Sequence, residues 1–333
     1  MTADPAGDAA ASDASPSGAA VLVTAVVVTY NRRALLEEAL TALAGQSRPP
    51  DRVVVVDNAS SDGTAEVVAR DFPDTDLLVL PRNIGGAGGF GAGMAHALEA
   101  GTDLLWLLDD DTVPEPDALG ELLAARDRAT AADGPPALVA SRVVWTDGRD
   151  HPMNTPRAKP RTPPAEREIA RAAGCVPVRS ASFVSVLVDA ATVRERGLPV
   201  ADYFLWNDDF EFTTRLLRGR RGVLCPRSVV VHKTREFGGA DADPGDRFFY
   251  EVRNKIWLFS GSPGLAPPER VLYAGSTLRR WTRTFAGSRD RTVLRRAMLR
   301  GLRDGLLTRP KPTADLLREV GVEVPSDDEP HAR

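Results

Sequence analysis

Three consecutive carboxylates, Asp109, Asp110 and Asp111, close the apolar run Leu104-Leu105-Trp106-Leu107-Leu108. Adjacent carboxylates at the end of a buried run repel one another unless something positive sits beside them. Mg²⁺ or Mn²⁺ is the natural neutraliser. Such hard ions take carboxylate oxygens and share their coordination with substrate phosphates. Side chains alternate along a strand, which sends Asp109 and Asp111 to one side and Asp110 to the other. A plainer reading stays open here: a solvated acidic turn before a helix predicted over 116–126, with Asp111 or Thr112 as its cap.

A second acidic group, Trp206-Asn207-Asp208-Asp209-Phe210-Glu211, precedes the basic stretch 215–221. Asp208 and Asp209 are candidates for the base that takes the proton from an acceptor hydroxyl in a sugar transfer. The alternative is helix capping. Glu211 has the spacing to pair with Arg215 at i,i+4. Trp206 is suited either to stacking on an acceptor sugar ring or to filling core. His232 ends an apolar strand and becomes a usable Mn²⁺ ligand only where it meets the aspartates.

The segment Asn83-Ile84-Gly85-Gly86-Ala87-Gly88-Gly89-Phe90-Gly91 follows a predicted strand. Gly86, Gly88 and Gly91 have the dinucleotide-fingerprint spacing, with acids about 20 positions further on. That supports an alternative function, an NAD(P)-dependent oxidoreductase. Against it, the acid is a triplet rather than a lone ribose ligand, and the match falls on a third strand. The preferred reading is a loop, Asn83, Gly85 and Gly86 included, whose amides and small residues let a sugar nucleotide lie close to the backbone.

These groups need a scaffold. Strands are predicted over 21–29, 53–56, 77–80, 104–108, 181–188 and 223–232, and helices over 33–43, 64–70, 91–100, 247–260 and 269–307. Short apolar strands separated by helices imply an α/β fold with a mainly parallel central sheet and flanking helices. Ligands of such sheets sit beyond the C-terminal strand ends. Here those ends carry Thr29-Tyr30-Asn31, Asp57-Asn58, Arg82-Asn83 and the three aspartates. The Pro-rich stretch 151–165 reads as a long loop of the kind that serves as a lid or binding element.

The chain has 333 residues, 42 Lys+Arg against 46 Asp+Glu, 43% apolar and 26% charged residues. It is long enough for a large core and too balanced in charge for bulk nucleic-acid binding. Cys175 and Cys225 are too few for a disulfide scaffold. No apolar run reaches the roughly 20 residues of a membrane span, and Met1 to Ala20 lack the features of a secretory signal. The expected setting is cytoplasmic. Residues 1–20 and 321–333 are expected to be disordered tails.

Together these pieces resemble the family 2 glycosyltransferases, of GT-A fold. The resemblance rests on Thr29-Tyr30-Asn31-Arg32, the segment Val56 to Thr64, the acidic triplet, Asn207-Asp208-Asp209 and the strand ending in His232. Asn83 to Phe90 and Arg247-Phe248-Phe249-Tyr250-Glu251-Val252-Arg253-Asn254 look like the galactofuranosyltransferase and rhamnosyltransferase branch. The resemblance implies a GT-A domain over 21–235 and a C-terminal helical region over 236–320. It implies that Thr29, Tyr30, Arg32, Asp57 and Asp110 hold the donor nucleotide, with Asp57 accepting from the pyrimidine imide. It implies Asp109, Asp111 and His232 around Mn²⁺ or Mg²⁺, Asp209 as base, and Trp206 and Arg253 toward the acceptor. The partners implied are a UDP- or dTDP-sugar donor and a glycan or polyprenyl-linked acceptor.

Residues 278–309 hold ten arginines and two aspartates. Leu294, Ala297, Met298, Gly301, Leu302 and Leu306 fall near helical spacing between them. A basic amphipathic helix reads as membrane-surface binding, on the inner face of the cell membrane; packing on the catalytic domain is the competing expectation.

Overall fold

The computed structural model describes residues 21–237 and 243–324. The chain runs through β1 (Val23–Thr29), α1 (Arg33–Ala44), β2 (Arg52–Asp57), α2 (Thr64–Asp71), β3 (Asp76–Val79), α3 (Gly85–Glu99), β4 (Leu104–Asp109) and β5 (Thr112–Pro114). It continues with α4 (Ala118–Arg128), β6 (Leu138–Val144), β7 (Arg157–Ala158), α5 (Pro164–Ala172), β8 (Val176–Ser180), β9 (Ser185–Asp189) and α6 (Ala190–Arg196). Then come α7 (Asp208–Leu216), β10 (Gly222–His232), α8 (Phe248–Gly261), α9 (Pro267–Gly287), α10 (Arg291–Leu307) and α11 (Thr313–Arg318).

The strands join one sheet in the order β3-β2-β1-β4-β9-β6-β10-β8-β7, with β5 on β10. From β3 to β4 the pairing is parallel, and beyond β4 the sheet is mixed. The β-branched runs of β1 and β2 suit a position covered on both faces. Val26, Val28, Val54 and Val56 pack on Phe90, Met94 and Leu98 of α3. Val23, Ala25, Val27 and Val55 turn to the other face, against Leu36 and Leu40 of α1 and Leu119 and Leu122 of α4. The approach of α3 is close enough that a Cβ at Gly93 would collide with Val26.

The registers fix the functional edge. Thr29 is level with Asp57, and Val28 with Asp109, so three strands end together. Antiparallel pairing of β10 with β5 sets His232 opposite Thr112, the residue that follows the triplet. That hairpin-like return folds the end of β10 over the aspartates.

Some expectations shift. Helix α3 starts at Gly85, so Gly86, Gly88 and Gly91 lie inside a helix. The stretch 151–165 contains β7, paired with β8. The single helix expected over 269–307 is two, broken where Asp290 caps α10 by accepting from the Thr292 and Val293 N–H groups. Residues 1–20 and 325–333 of the expected tails lie outside the described residues. Residues 321–324 do not form a tail: Val322 is buried and packs with Leu317 and Val320 in the core on the α3 side.

The C-terminal helices are tied to the sheet domain. Leu258 and Leu265 share a cluster with Phe210, and Trp257 packs on Tyr203 and Ala87. Leu294 and Ala297 of α10 pack with Phe248, Val252 and Trp281, and Gly301 is buried. Most of the apolar stripe on α10 therefore faces α8 rather than an external surface. Among the described residues no helix is long and apolar enough to cross a membrane.

Candidate functional site

The triplet divides as expected, although only Asp109 lies in β4 and Asp110 and Asp111 form the turn that follows. Asp110 turns toward the end of β1: its Oδ2 accepts from Thr29 Oγ1 at 2.9 Å and from the Tyr30 N–H at 3.4 Å. Arg32 Nη1 donates to Asp110 Oδ1 at 3.1 Å and to Asp111 Oδ2 at 2.6 Å. Asp109 and Asp111 turn the other way, where His232 joins them. One ligand atom from each of these three residues lies within 4.8 Å of the others. His232 Nε2 stands 2.9 Å from Asp111 Oδ1, and its Nδ1 is 2.9 Å from Asn154 Oδ1.

This cluster fits a divalent cation. Asp111 Oδ1 is buried and, apart from the contact with His232, has no hydrogen-bond partner among the described residues. Asn154 Oδ1 can only accept, so the Nδ1 of His232 carries the proton. Nε2 then offers Asp111 a second proton as imidazolium, or offers a cation a lone pair, the second-shell pattern of metal-bound histidine. Two carboxylates and an imidazole are a donor set suited to Mn²⁺ or Mg²⁺.

The electrostatics agree. Burial, reinforced by Asp111 and opposed by His232, raises the Asp109 carboxyl to about 7. Burial raises Asp110 to about 6 against the pull of Arg32. Asp111 is also pushed up by burial, but His232 and Arg32 outweigh that and leave it below the ordinary range. Burial pulls His232 down, and Asp111 more than reverses it. Groups with raised folded-state values hold protons that the unfolded chain has released. Their stabilising effect is complete near the unfolded values and is lost as pH climbs through the folded ones. In EDTA, the melting temperature is therefore expected to fall as pH rises from about 5 to about 7.5. MnCl₂ should restore it most at the upper end. Calorimetric scans across that window check this; a flat profile with no metal response would contradict it.

The residues expected to hold a donor lie at the ends of β1 and β2. Asp57 is fully buried. Its Oδ1 accepts from the Ser60 N–H at 2.9 Å, while Oδ2 has no partner among the described residues. Tyr30 is 46% exposed, which leaves its ring free beside that oxygen's edge of the sheet. Asn58, to which sequence reasoning gave no role, staples the start of α3 to β2. Its Oδ1 accepts from the Ile84 N–H at 3.1 Å and its Nδ2 donates to Gly85 O at 3.0 Å. Asn83 Oδ1 accepts from the Gly85 N–H at 2.7 Å. Gly85 has φ 77°, and a Cβ there would strike the Phe204 carbonyl. The space beside Gly86 is open. Gly85, Gly88, Gly89 and Gly93 thus serve close packing, within α3 or against its neighbours. The glycines do not form the phosphate turn of a first βαβ unit, and the dinucleotide alternative loses its structural basis.

The second acidic group opens α7. The loop 204–207 sits on the start of α3, with the Ala87 N–H donating to Phe204 O at 3.4 Å. Asp208 is buried, and burial and Asp209 push its carboxyl well up, with a further contribution from Asp109. Asp209 responds to different groups. Burial raises it, while the Phe210 N–H, Lys255 and Arg157 oppose that rise. Its Oδ1 accepts from the Phe210 N–H at 2.6 Å. Glu211 is paired with Arg215 at 2.9 and 3.1 Å.

Phe204, Trp206 and Asn207 have φ of 62°, 65° and 67°, left-handed values for three non-glycine residues in four. Each such conformation costs on the order of 1 kcal/mol and persists only where surroundings enforce it. Helix α8 supplies the enforcement. Fully buried Asn254 donates from Nδ2 to the carbonyls of Tyr203, Leu205 and Trp206, each at 2.9 Å. Asn207 Nδ2 donates to Glu251 Oε2 at 2.9 Å. Arg253 donates to Asp202 O at 2.6 Å and Tyr203 O at 3.2 Å, and lies 4.2 Å over the Trp257 ring. Its guanidinium is committed to this loop, so the expected acceptor role for Arg253 gives way to a positioning one. Trp206 is half-buried, beneath the Arg247 guanidinium at 5.6 Å.

Comparison with known proteins matches this geometry. The family model described as Glycosyl transferase family 2 covers residues 24–183. The galactofuranosyltransferase GlfT1 of Mycolicibacterium smegmatis is 32% identical over 83% of this chain and 95% of its own length. The N-acetylglucosaminyl-diphospho-decaprenol L-rhamnosyltransferase of Mycobacterium tuberculosis is 26% identical, over 65% of this chain and 77% of its own. Among solved structures, residues 1–349 of S. aureus TarS in complex with UDP-GlcNAc superpose with a TM-score of 0.58 at 17% identity, over 89% of this chain and 84% of that one. That likeness is one of fold.

Proposed function

The chain belongs to glycosyl transferase family 2, and from that premise we propose that it moves galactofuranose or rhamnose, with inversion, from a UDP- or dTDP-linked donor to a hydroxyl of a glycan or lipid-linked acceptor. It is a glycosyltransferase; donor, stereochemistry and residue roles are the proposed part. The observation that carries the reading is the cluster of Asp109, Asp111 and His232, one ligand atom of each within 4.8 Å of the others, at the edge where β1, β2 and β4 end together.

Each residue then has a task. The unpartnered Oδ2 of Asp57 accepts the imide N–H of the pyrimidine. Thr29 and Arg32 hold Asp110 toward the ribose. Asp109, Asp111 and His232 would hold Mn²⁺ or Mg²⁺, which neutralises charge on the departing nucleoside diphosphate. Asp209 takes the proton of the acceptor hydroxyl as its oxygen attacks the anomeric carbon. The bond to the diphosphate oxygen breaks, and the glycoside forms in one displacement without an enzyme nucleophile. Burial raises Asp209 above the ordinary carboxylate range, which strengthens it as a base.

A thermal-shift screen tests this. With Mn²⁺, UDP or dTDP at about 100 times Kd is expected to raise the melting temperature by roughly 5 °C, and NAD(P) to leave it unchanged. Stabilisation by NAD(P) alone would overturn the reading.

The C-terminal helices bear on where the protein works. Val271, Leu272 and Leu278 on α9 are 75%, 60% and 60% exposed, beside Arg279 and Arg283. We place a peripheral membrane contact here rather than on the packed stripe of α10. The full chain is expected to sediment with anionic liposomes at low salt, and the double variant Leu272→Glu, Leu278→Glu to lose about tenfold in partition. Unchanged partition would remove the contact.

A further inference from the structure

Two cations, Lys255 and Arg157, converge on the ring of Phe210, the residue after Asp209, and neither forms an ion pair among the described residues. Lys255, on α8, is 6% exposed, and its ammonium makes no hydrogen bond or ion pair among the described residues. Its Nζ stands 4.8 Å from the centre of the Phe210 ring and 5.8 Å from that of Phe259. Other buried cations of this chain are satisfied: Arg179 pairs with Glu269, and Arg215 with Glu211. The natural partner of Lys255 would be Glu251, one turn earlier. That carboxylate is already taken by Asn207, Arg280 and Trp281.

Arg157 comes from the other direction. It sits on β7, in the Pro-rich stretch, and is exposed. Its guanidinium carbon is 5.3 Å from the Phe210 ring centre and 5.7 Å from that of Tyr273, again without an acid or carbonyl partner among the described residues. Two unpaired positive groups therefore converge on the ring next to Asp209. Lys255 is a largely buried cation and Arg157 an exposed one, and neither is neutralised by an ion pair among the described residues.

We propose that Arg157 and Lys255 form an anion subsite beside Asp209 that holds a phosphate or diphosphate group of the acceptor. The assignment to the acceptor rests on Asp209 being the base, because the hydroxyl that Asp209 deprotonates brings its own substituents to this side. The donor diphosphate belongs to the opposite side, by Asp109 and Asp111. Burial drives the Lys255 ammonium down to about 8, with Glu251 and Asp209 resisting, as expected for a cation waiting for a counter-charge.

The test uses the full chain in EDTA, where the metal-free aspartates repel anions, titrated calorimetrically with inorganic pyrophosphate and with farnesyl diphosphate. Saturable binding is expected. Arg157→Ala, on an exposed strand that leaves the core untouched, and Lys255→Met should each weaken it about tenfold, the loss of one charge-assisted contact. Lys255→Arg should retain it. Tighter binding of farnesyl diphosphate would identify a lipid-linked acceptor, and equal binding would identify the phosphate group alone as the ligand; either supports the subsite. Absence of saturable binding, or wild-type binding by Arg157→Ala and Lys255→Met, overturns it. Stabilisation by UDP with Mn²⁺, measured on the same samples, reports on the donor reading separately.

Discussion

Asp209→Asn is expected to lower kcat by about 10³-fold to 10⁴-fold while leaving UDP affinity in Mn²⁺ within about twofold, since a positioned general base supplies a factor of that order. The amide keeps the size of the side chain and can still accept from the Phe210 N–H, so the start of α7 should not move. What it loses is the capacity to take a proton. The electrostatics explain why donor binding survives: Lys255 and Arg157 act on Asp209, whereas Asp109 acts on its neighbour Asp208. Asp208→Asn should behave differently and weaken the Mn²⁺ dependence of UDP binding. The measurements are initial rates with donor and acceptor, and calorimetric UDP affinity, on both variants. Unchanged turnover in Asp209→Asn would take the base role from it.

The parts of this site written into one strand or one turn were legible in the sequence, and the parts that depend on distant partners were not. The split of Asp110 from Asp109 and Asp111 was expected from strand alternation, but β4 ends at Asp109 and it is the turn at Asp110 and Asp111 that sends one to Thr29 and the other to His232. The ends of β1 and β2 were legible directly, where β-branched runs stop at Thr29 and Asp57. Asn154 and His232 are a contrasting case. They meet across 78 positions, and no local pattern marks an asparagine in a Pro-rich stretch as the partner of a histidine. Asn58 and Asn254 were named only as members of their segments, without a role, and Lys255 was missed, for a related reason. Each is a polar residue within an otherwise ordinary element, and its importance comes from what the fold leaves unpaired around it. The segment Arg247 to Asn254 did carry a signal, but the sequence pointed to Arg253 as an acceptor contact. In the structure Arg253 and Asn254 hold backbone carbonyls of the strained loop. The glycine-rich segment misled in the opposite sense: its spacing imitates a phosphate turn, while its glycines allow a helix to lie close to the sheet.

Loss of Asp111 should be felt more widely than loss of any other member of the triplet. Its buried Oδ1 is the oxygen that meets His232 Nε2 at 2.9 Å, and its Oδ2 receives the shortest contact from Arg32, at 2.6 Å. Asp111→Ala therefore removes a ligand, leaves His232 without the group that raises its affinity for protons, and turns Arg32 wholly onto Asp110. Removing even an outer partner of a metal ligand costs about 10-fold to 100-fold in affinity, so deletion of the ligand is expected to weaken Mn²⁺-dependent UDP binding by at least about 100-fold. Asp111→Asn, which keeps the volume and can still accept from Arg32, separates charge from shape: it should lose nearly as much. Asp110→Asn provides the contrast, because that carboxyl points to Thr29 and Tyr30 rather than to His232. It should weaken UDP with or without metal by a similar factor. Titrating UDP into each variant with Mn²⁺ and with EDTA distinguishes the two patterns. Equal Mn²⁺ dependence in Asp111→Asn and wild type would mean that the cluster of Asp109, Asp111 and His232 holds no cation, and that the proton shared between Asp111 and His232 is its resting partner.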